Sequence, residues 1–320
     1  MELRSLGNSG LLVSQIALGT MTWGRDTDIH EARDQFNIYY SAGGRLIDTA
    51  DVYSDGVSEE IVGEFVREYP DVLVSTKAGS VRSARKRDTS RSHLLDALDG
   101  SLRRLRRTHI DVWHMHVWDP YTPIEETLAA ADSAISSGKV RYLGISNYAG
   151  WQLTKAATLQ HSGSPYPIIS AQMEYSLVER GIEREVIPAA ADLGVGIMAW
   201  SPLGRGVLTG KYRHGTPADS RGATSHFASF VSTYLDDKSR AIVDAVCTAA
   251  EGLGLSPIDV SLAWLTSRQQ VSSVVVGART AAQLRVVLNA TDVTLPPEIL
   301  DALTSVSAPE RGYPEYGWNQ

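Results

Sequence analysis

A chain of 320 residues with 43% hydrophobic and 21% charged residues can bury a large core, which excludes a disordered or fibrous protein. Its formal charge of −7 argues against a general affinity for nucleic acid, and its single cysteine, Cys247, excludes an intramolecular disulfide and a thiolate metal cluster. The opening residues MELRSLGNSG hold no apolar core of signal-peptide length and no run of about 18 apolar residues follows, so we expect a cytoplasmic protein with no membrane segment.

In chain order, residues 1–6 and 11–13, joined through Gly7-Asn8-Ser9-Gly10, predict a β-hairpin that plugs one end of the fold. Short, mostly apolar strand candidates follow at 16–18, 45–48, 72–76, 110–115, 142–146, 168–172, 196–199 and 273–276, the pattern of parallel strands covered on both faces. Helical patterns separate most of them. The first, 28–42, opens on an acidic cap and stops before Gly43-Gly44. Others are expected at 61–66, 90–106, 123–137, 151–160, 183–193, 237–253, 257–267, 281–289 and 297–304. The stretch 82–107 holds nine Arg or Lys against three Asp, which reads as a solvated helix face and loop.

Eight strands in about 300 residues predict an α/β fold, a (β/α)8 TIM barrel with an N-terminal hairpin plug, formed by residues 1–320 as a single domain. The rival is a doubly wound sheet, for which Gly194-Val195-Gly196-Ile197-Met198-Ala199 supplies a loose glycine fingerprint. Its glycines precede a strand, however, and Pro202 blocks the helix that should follow.

Reactive groups of such barrels lie at the carboxyl ends of strands and on the loops that follow. Asp48, Lys77 and His116 end three candidate strands, and Tyr53 follows Asp48 in its loop. A free phenol, with a pKa near 10, is a poor general acid at neutral pH. A nearby ammonium should lower that value, a carboxylate can hold the ammonium, and an imidazole can hydrogen-bond a carbonyl oxygen. Alone, each residue would be ordinary capping or surface chemistry; four at successive strand ends point to one acid.

From Leu18-Gly19-Thr20-Met21 to the region of Gly277, these residues are ordered and spaced as in the aldo-keto reductases, and the chain resembles that family. The resemblance implies that Asp48, Tyr53, Lys77 and His116 are catalytic. It further implies NADPH/NADP+ as cofactor, an aldehyde or ketone as small-molecule carbonyl substrate, hydride transfer to the carbonyl carbon and proton donation by Tyr53. Carried over residue by residue, it places Gly19, Thr20, Met21, Asp48, Ser146, Asn147 and Gln172 at the cofactor, with Trp200 stacked on the nicotinamide and Ser201, Pro202 and Leu203 at the pyrophosphate. Gly204, Gly206, Lys211 and Arg221 belong to the same segment, and Gly277, Arg279 and Gln283 to the adenosine end, where Arg279 would face the 2′-phosphate. Relatives carry Glu and Asn where this chain has Val286 and Val287. Substrate contacts are expected from Tyr53, His116, Trp23 and Trp118, the last shifted by one position from the family's pattern. Tyr121 and the tail aromatics Tyr313, Tyr316 and Trp318 are further candidates for the pocket wall.

Three other readings compete. A metal-dependent barrel hydrolase would use His114 and His116, but the remaining His residues show no ligand spacing. A nicotinamide-binding regulatory subunit of the potassium-channel β type shares the fold and the Trp-Ser-Pro-Leu segment, yet in that branch another residue typically replaces the histidine kept here as His116. A Schiff-base aldolase acting through Lys77 is opposed by the adjacent Asp48. The sequence carries no signal for an oligomeric state.

Overall fold

The computed structural model of the protein describes residues 1–81, 86–213, 215–217, 220–223, 228–310 and 312–313; the side chain of Arg221 lies outside that set. An antiparallel hairpin, β1 (Leu3–Ser5) and β2 (Leu12–Ser14), precedes a closed eight-stranded parallel barrel. The barrel begins with β3 (Ile16–Gly19), α1 (Ile29–Ser41), β4 (Leu46–Asp48), α2 (Val57–Val66), β5 (Leu73–Ala78), α3 (Arg91–Leu105), β6 (Ile110–Met115) and α4 (Ile124–Ser136). It continues with β7 (Val140–Ser146), α5 (Gly150–Gly163), β8 (Ile168–Glu174), α6 (Val186–Asp192) and β9 (Gly196–Trp200). After a long connection with α7 (Ala228–Ser232), α8 (Asp237–Leu253) and α9 (Pro257–Thr266), the strand β10 (Val271–Val276) closes the ring between β9 and β3. Two helices, α10 (Ala281–Asn289) and α11 (Pro297–Val306), complete the described fold.

Local chemistry sets the helix ends. Asp28 caps α1 by accepting from the His30 and Glu31 N–H groups, each at 2.9 Å. Ser256 and Asp259 form a capping box at α9, with Pro257 in the first turn where its missing N–H costs nothing. The expected helix 183–193 is shorter than the pattern suggests: a single 3₁₀ turn, Gly181–Glu183, comes first and α6 starts only at Val186. Pro188 explains the shift, because proline is tolerated only in a helix's first turn.

Apolar side chains sort into two layers. The larger packs the outer face of the strands against the helices, with Trp23, Phe36, Phe65, Trp113 and Trp264 among its bulkiest members. The smaller fills the barrel interior with Ala17, Leu46, Val112, Ile169, Met198 and Val275, and the hairpin's Leu6 and Val13 join it, fully buried. The hairpin therefore stoppers the amino-terminal end and leaves the opposite mouth open. Among the described residues no single helix is long and apolar enough to cross a membrane.

Contact between α2 and α3 depends on a missing side chain. A Cβ at Gly63 would lie 2.6 Å from the Arg104 carbonyl oxygen and from the Leu105 backbone, closer than real atoms approach. We expect Gly63→Ala to destabilise the fold by about 1–3 kcal/mol, as overpacking does. Urea denaturation checks this; an unchanged midpoint would show that the two helices can separate without penalty.

Candidate active site

At the open mouth, strand alternation turns Ser75 and Lys77 of β5 to the same side, toward Asp48 at the end of β4. The Lys77 side chain is 1% exposed, yet its three N–H groups have three acceptors: Asp48 Oδ2 at 2.6 Å, the Thr49 carbonyl at 2.7 Å and the Tyr53 hydroxyl at 3.5 Å. Asp48 Oδ1 in turn accepts from Ser75 Oγ and from Gln172 Nε2, both at 2.8 Å. A buried ion pair is tolerable when its remaining hydrogen-bonding capacity is met in this way.

The network extends across the barrel, and its logic assigns protons. Ser75 gives its hydrogen to Asp48, so at the 3.2 Å contact with His114 it must accept, and His114 Nδ1 carries the proton. His114 Nε2 then accepts from Ser170 Oγ at 3.0 Å. Burial, aided by Lys77, pushes His114 down to about 3, consistent with the neutral ring this chain requires. Both its ring nitrogens are engaged by serines, and no group of three His, Cys, Asp or Glu able to hold a metal occurs among the described residues.

His116 follows β6. Its N–H donates to the Ala78 carbonyl at 2.8 Å, its carbonyl accepts from Asn147 Nδ2 at 3.0 Å, and its ring meets the Tyr53 ring edge-on at 6.1 Å. His116 Nδ1 is buried with no hydrogen-bond partner among the described residues. Burial, reinforced by Lys77, pushes this imidazole down to about 3 as well, so it faces the cavity neutral. The expectation that Tyr53 is shifted downward needs correction. Burial raises its pKa, and Lys77 opposes but does not cancel that rise. Lys77 itself ends up raised: burial disfavours the ammonium, but Asp48 and Tyr53 outweigh it. The phenol is therefore a protonated donor at neutral pH, beside a charge that stabilises the phenolate it would leave behind.

Tyr53 is held by a strained turn. Ser54 and Asp55, neither of them glycine, adopt left-handed backbone angles, and Ser54 Oγ donates to the Trp23 carbonyl at 2.7 Å. Trp23 is thereby placed differently from expectation. It is fully buried, donates from Nε1 to Gln35 at 3.0 Å and packs on Phe65, so it supports the turn and does not wall the cavity. Trp118 also turns aside, packing edge-on against Tyr148 and Trp151.

A cavity of about 550 Å³ opens over this network. Of the expected cofactor residues, Gly19, Thr20, Met21, Asp48, Ser146, Asn147 and Gln172 line it, as do Trp200, Ser201, Pro202, Leu203, Gly206, Lys211, Gly277, Arg279 and Gln283. Gly204 is buried beneath its loop instead, at positive φ with Val178 against it. The Arg221 side chain and the tail residues Tyr316 and Trp318 lie outside the described residues, and Tyr313 is exposed. One wall is interlocked: Trp200 Nε1 donates to Asn147 Oδ1 at 3.2 Å, Asn147 Nδ2 to Ser146 Oγ at 3.1 Å, and Ser146 Oγ to the Gln172 carbonyl at 2.8 Å.

The sequence reading missed several members. Ser75 and Ser170 were legible only as polar residues interrupting apolar strands, and His114 only as half of a possible metal pair. Arg205 lines the cavity while held by two hydrogen bonds to Glu174, at 2.9 and 2.7 Å, and stacked on Phe230. Asp51 hides in the Tyr53 loop; its Oδ1 is buried without a hydrogen-bond partner among the described residues.

Residues 15–308 match the profile of the Aldo/keto reductase family. The chain is 36% identical over 323 residues to the probable voltage-gated potassium channel subunit beta of Oryza sativa subsp. japonica, covering 97% of this chain and 98% of that protein. It is 34% identical over 324 residues to the protein of the same description from Arabidopsis thaliana, with 97% and 98% covered. It is also 34% identical over 334 residues to the uncharacterized oxidoreductase YrpG of Bacillus subtilis (strain 168), with 99% and 100% covered.

Asp51 yields a prediction about pH. Burial, with Glu59 adding to it, raises its carboxyl from 3.8 to about 7, against the pull of Arg104, a Val52 hydrogen bond and Lys77. Between these two values the folded protein holds a proton that the unfolded chain has released, so this group costs stability increasingly as pH rises from about 4 to 7. The amide of Asp51→Asn cannot ionise. We expect its melting temperature to exceed the wild type's at pH ~8 and the gap to close toward pH ~4. A difference independent of pH would show that Asp51 does not titrate in this window.

Proposed function

The chain belongs to the aldo/keto reductase family, and on that premise we propose that it is a cytoplasmic NADPH-dependent reductase that converts an aldehyde or ketone to an alcohol. The observation that carries this reading is the Tyr53 hydroxyl, 3.5 Å from the buried Lys77 ammonium and beside a cavity that also exposes His116. A general acid needs a held proton, a path to the substrate and stabilisation of the charge it leaves; Tyr53 has all three.

The residues suit a nicotinamide dinucleotide. The interlocked Ser146, Asn147 and Gln172 offer amide and hydroxyl groups to a carboxamide, Trp200 offers a flat face, and Lys211 and Arg279 offer positive charge toward phosphates. Bound there, the dinucleotide would supply the hydride. Tyr53 passes its proton to the carbonyl oxygen as negative charge develops there, and Lys77 stabilises the resulting phenolate. Asp48 keeps the ammonium in place. His116, neutral and lining the cavity, orients the carbonyl by a hydrogen bond from its ring. Val275, Val276 and Ile258 add apolar surface to the cavity wall.

The similarity to two plant proteins described as probable voltage-gated potassium channel subunits beta supports a second reading, in which the same pocket is a nucleotide sensor on a regulatory subunit. Retention of His116 beside Tyr53 favours turnover. Cofactor binding without NADPH consumption across a broad panel of aldehydes, ketones and sugars would favour the regulatory role.

Two variants test the enzyme reading. Tyr53→Phe removes the donated proton but little volume, and we expect kcat to fall about 10²- to 10⁴-fold while the Kd for NADPH changes by less than about twofold. Full activity in that variant would refute the assignment of the donor. Arg279→Glu should raise the KM for NADPH much more than that for NADH; equal effects on both would refute the 2′-phosphate assignment.

A further inference from the structure

The far end of the cavity runs along α10. Gly277, Ala278 and Arg279 lead into that helix, and Gln283, Val286 and Val287 line the wall it forms. Unpaired N–H groups at a helix start are the usual backbone contribution to phosphate binding. Here the protein has already used three of them. The Arg279 N–H donates to Gln283 Oε1 at 3.0 Å, and the Gln283 N–H donates to Thr280 Oγ1 at 3.2 Å. The Ala281 N–H donates to the carboxylate of Glu31, which reaches over from the first turn of α1.

Glu31 is held in that position. Its own N–H is fixed by the Asp28 cap at 2.9 Å, and Thr27 Oγ1, just before α1, donates to the Arg279 carbonyl at 3.5 Å. A carboxylate at a helix N-terminus is favourable for the fold, since it meets the positive end of the helix dipole. It also puts a fixed negative charge beside the residues that a 2′-phosphate would approach. Val286 and Val287 line this wall with apolar surface and carry no charge that could tell a 2′-phosphate from a hydroxyl.

We propose that Glu31 is a cofactor-selectivity residue: by occupying the start of α10 it leaves the 2′-phosphate to the Arg279 side chain and narrows the preference for NADPH over NADH. The proposal rests on the nicotinamide-dinucleotide reading given above. It makes the selectivity of this protein chiefly a contest between one cationic side chain and one carboxylate, with the N–H groups of Arg279, Ala281 and Gln283 taking no part. Like-charge repulsion across a partly solvated gap is modest, so removing it should change affinity by about three- to tenfold.

The test is calorimetric titration of the full chain with NADP⁺ and NAD⁺, and with the fragments 2′,5′-ADP and 5′-AMP, for the wild type, Glu31→Gln and Arg279→Glu. Glutamine keeps an acceptor for the Ala281 N–H and loses the charge. We expect Glu31→Gln to tighten NADP⁺ and 2′,5′-ADP about three- to tenfold and to leave NAD⁺ and 5′-AMP within about twofold. Unchanged NADP⁺ affinity, or equal tightening of both dinucleotides, overturns the proposal. Should Glu31→Gln fail to fold, the wild type still decides: a preference for 2′,5′-ADP over 5′-AMP beyond about a hundredfold overturns it, and a smaller one supports it. Failure of the wild type to bind either dinucleotide, or an Arg279→Glu variant that binds NADP⁺ as the wild type does, overturns the underlying cofactor assignment and this proposal with it.

Discussion

The Lys77–Asp48 ion pair is the constraint on which the mouth of the barrel depends. Removing either partner would leave a buried charge uncompensated, which typically costs several kcal/mol. The structure answers that demand from both sides of the barrel: Ser75 from β5, Gln172 from the opposite strand β8 and the Thr49 carbonyl after β4 all converge on the pair. Because the ammonium is satisfied on two sides by the protein, the Tyr53 hydroxyl, which also lines the cavity, becomes its third partner. A requirement of stability and an arrangement suited to proton transfer are met by the same few contacts.

The same demand sets the chemistry of the surrounding side chains. His114 must be neutral, with its proton on Nδ1, because Ser75 has already given its hydrogen to Asp48. His116 stays neutral because it is buried beside a cation. The left-handed Ser54 and Asp55, pinned to the Trp23 carbonyl, keep the tyrosine in reach of the lysine. Asn147, Ser201 and Arg205 also adopt left-handed angles where they line the cavity. Strain is thus concentrated on the loops at the open end, while the hairpin's Leu6 and Val13 seal the other.

Electrostatics at the two ends of the cavity differ in kind. Near Tyr53 the charges are buried, paired and satisfied by several strands. Near α10 the helix start is satisfied by Glu31, Thr280 and Gln283, so the backbone has no N–H left at those three positions to offer an incoming anion. Val286 and Val287 continue that wall without polar groups. Binding at this end therefore leans on side-chain charge and apolar contact, and the two ends can vary independently.

Much of this was legible from the chain alone. Eight short apolar runs separated by amphipathic ones determined the barrel, since strands covered on both faces need that composition, and their ends located Asp48, Lys77 and His116. Periodicity reports which face of an element is buried, and it reports little else. It did not reveal that Trp23 supports a turn, that Trp118 packs on Tyr148 and Trp151, or that burial outweighs Lys77 in setting Tyr53. The meeting of Glu31 with Ala281 was equally invisible, because the two stand 250 residues apart and touch only once the barrel closes and brings α1 against α10. Hydrophobic pattern is local and determined the scaffold; hydrogen-bond partners and the balance of charge against burial are decided by distances between remote segments, which exist only in the folded protein.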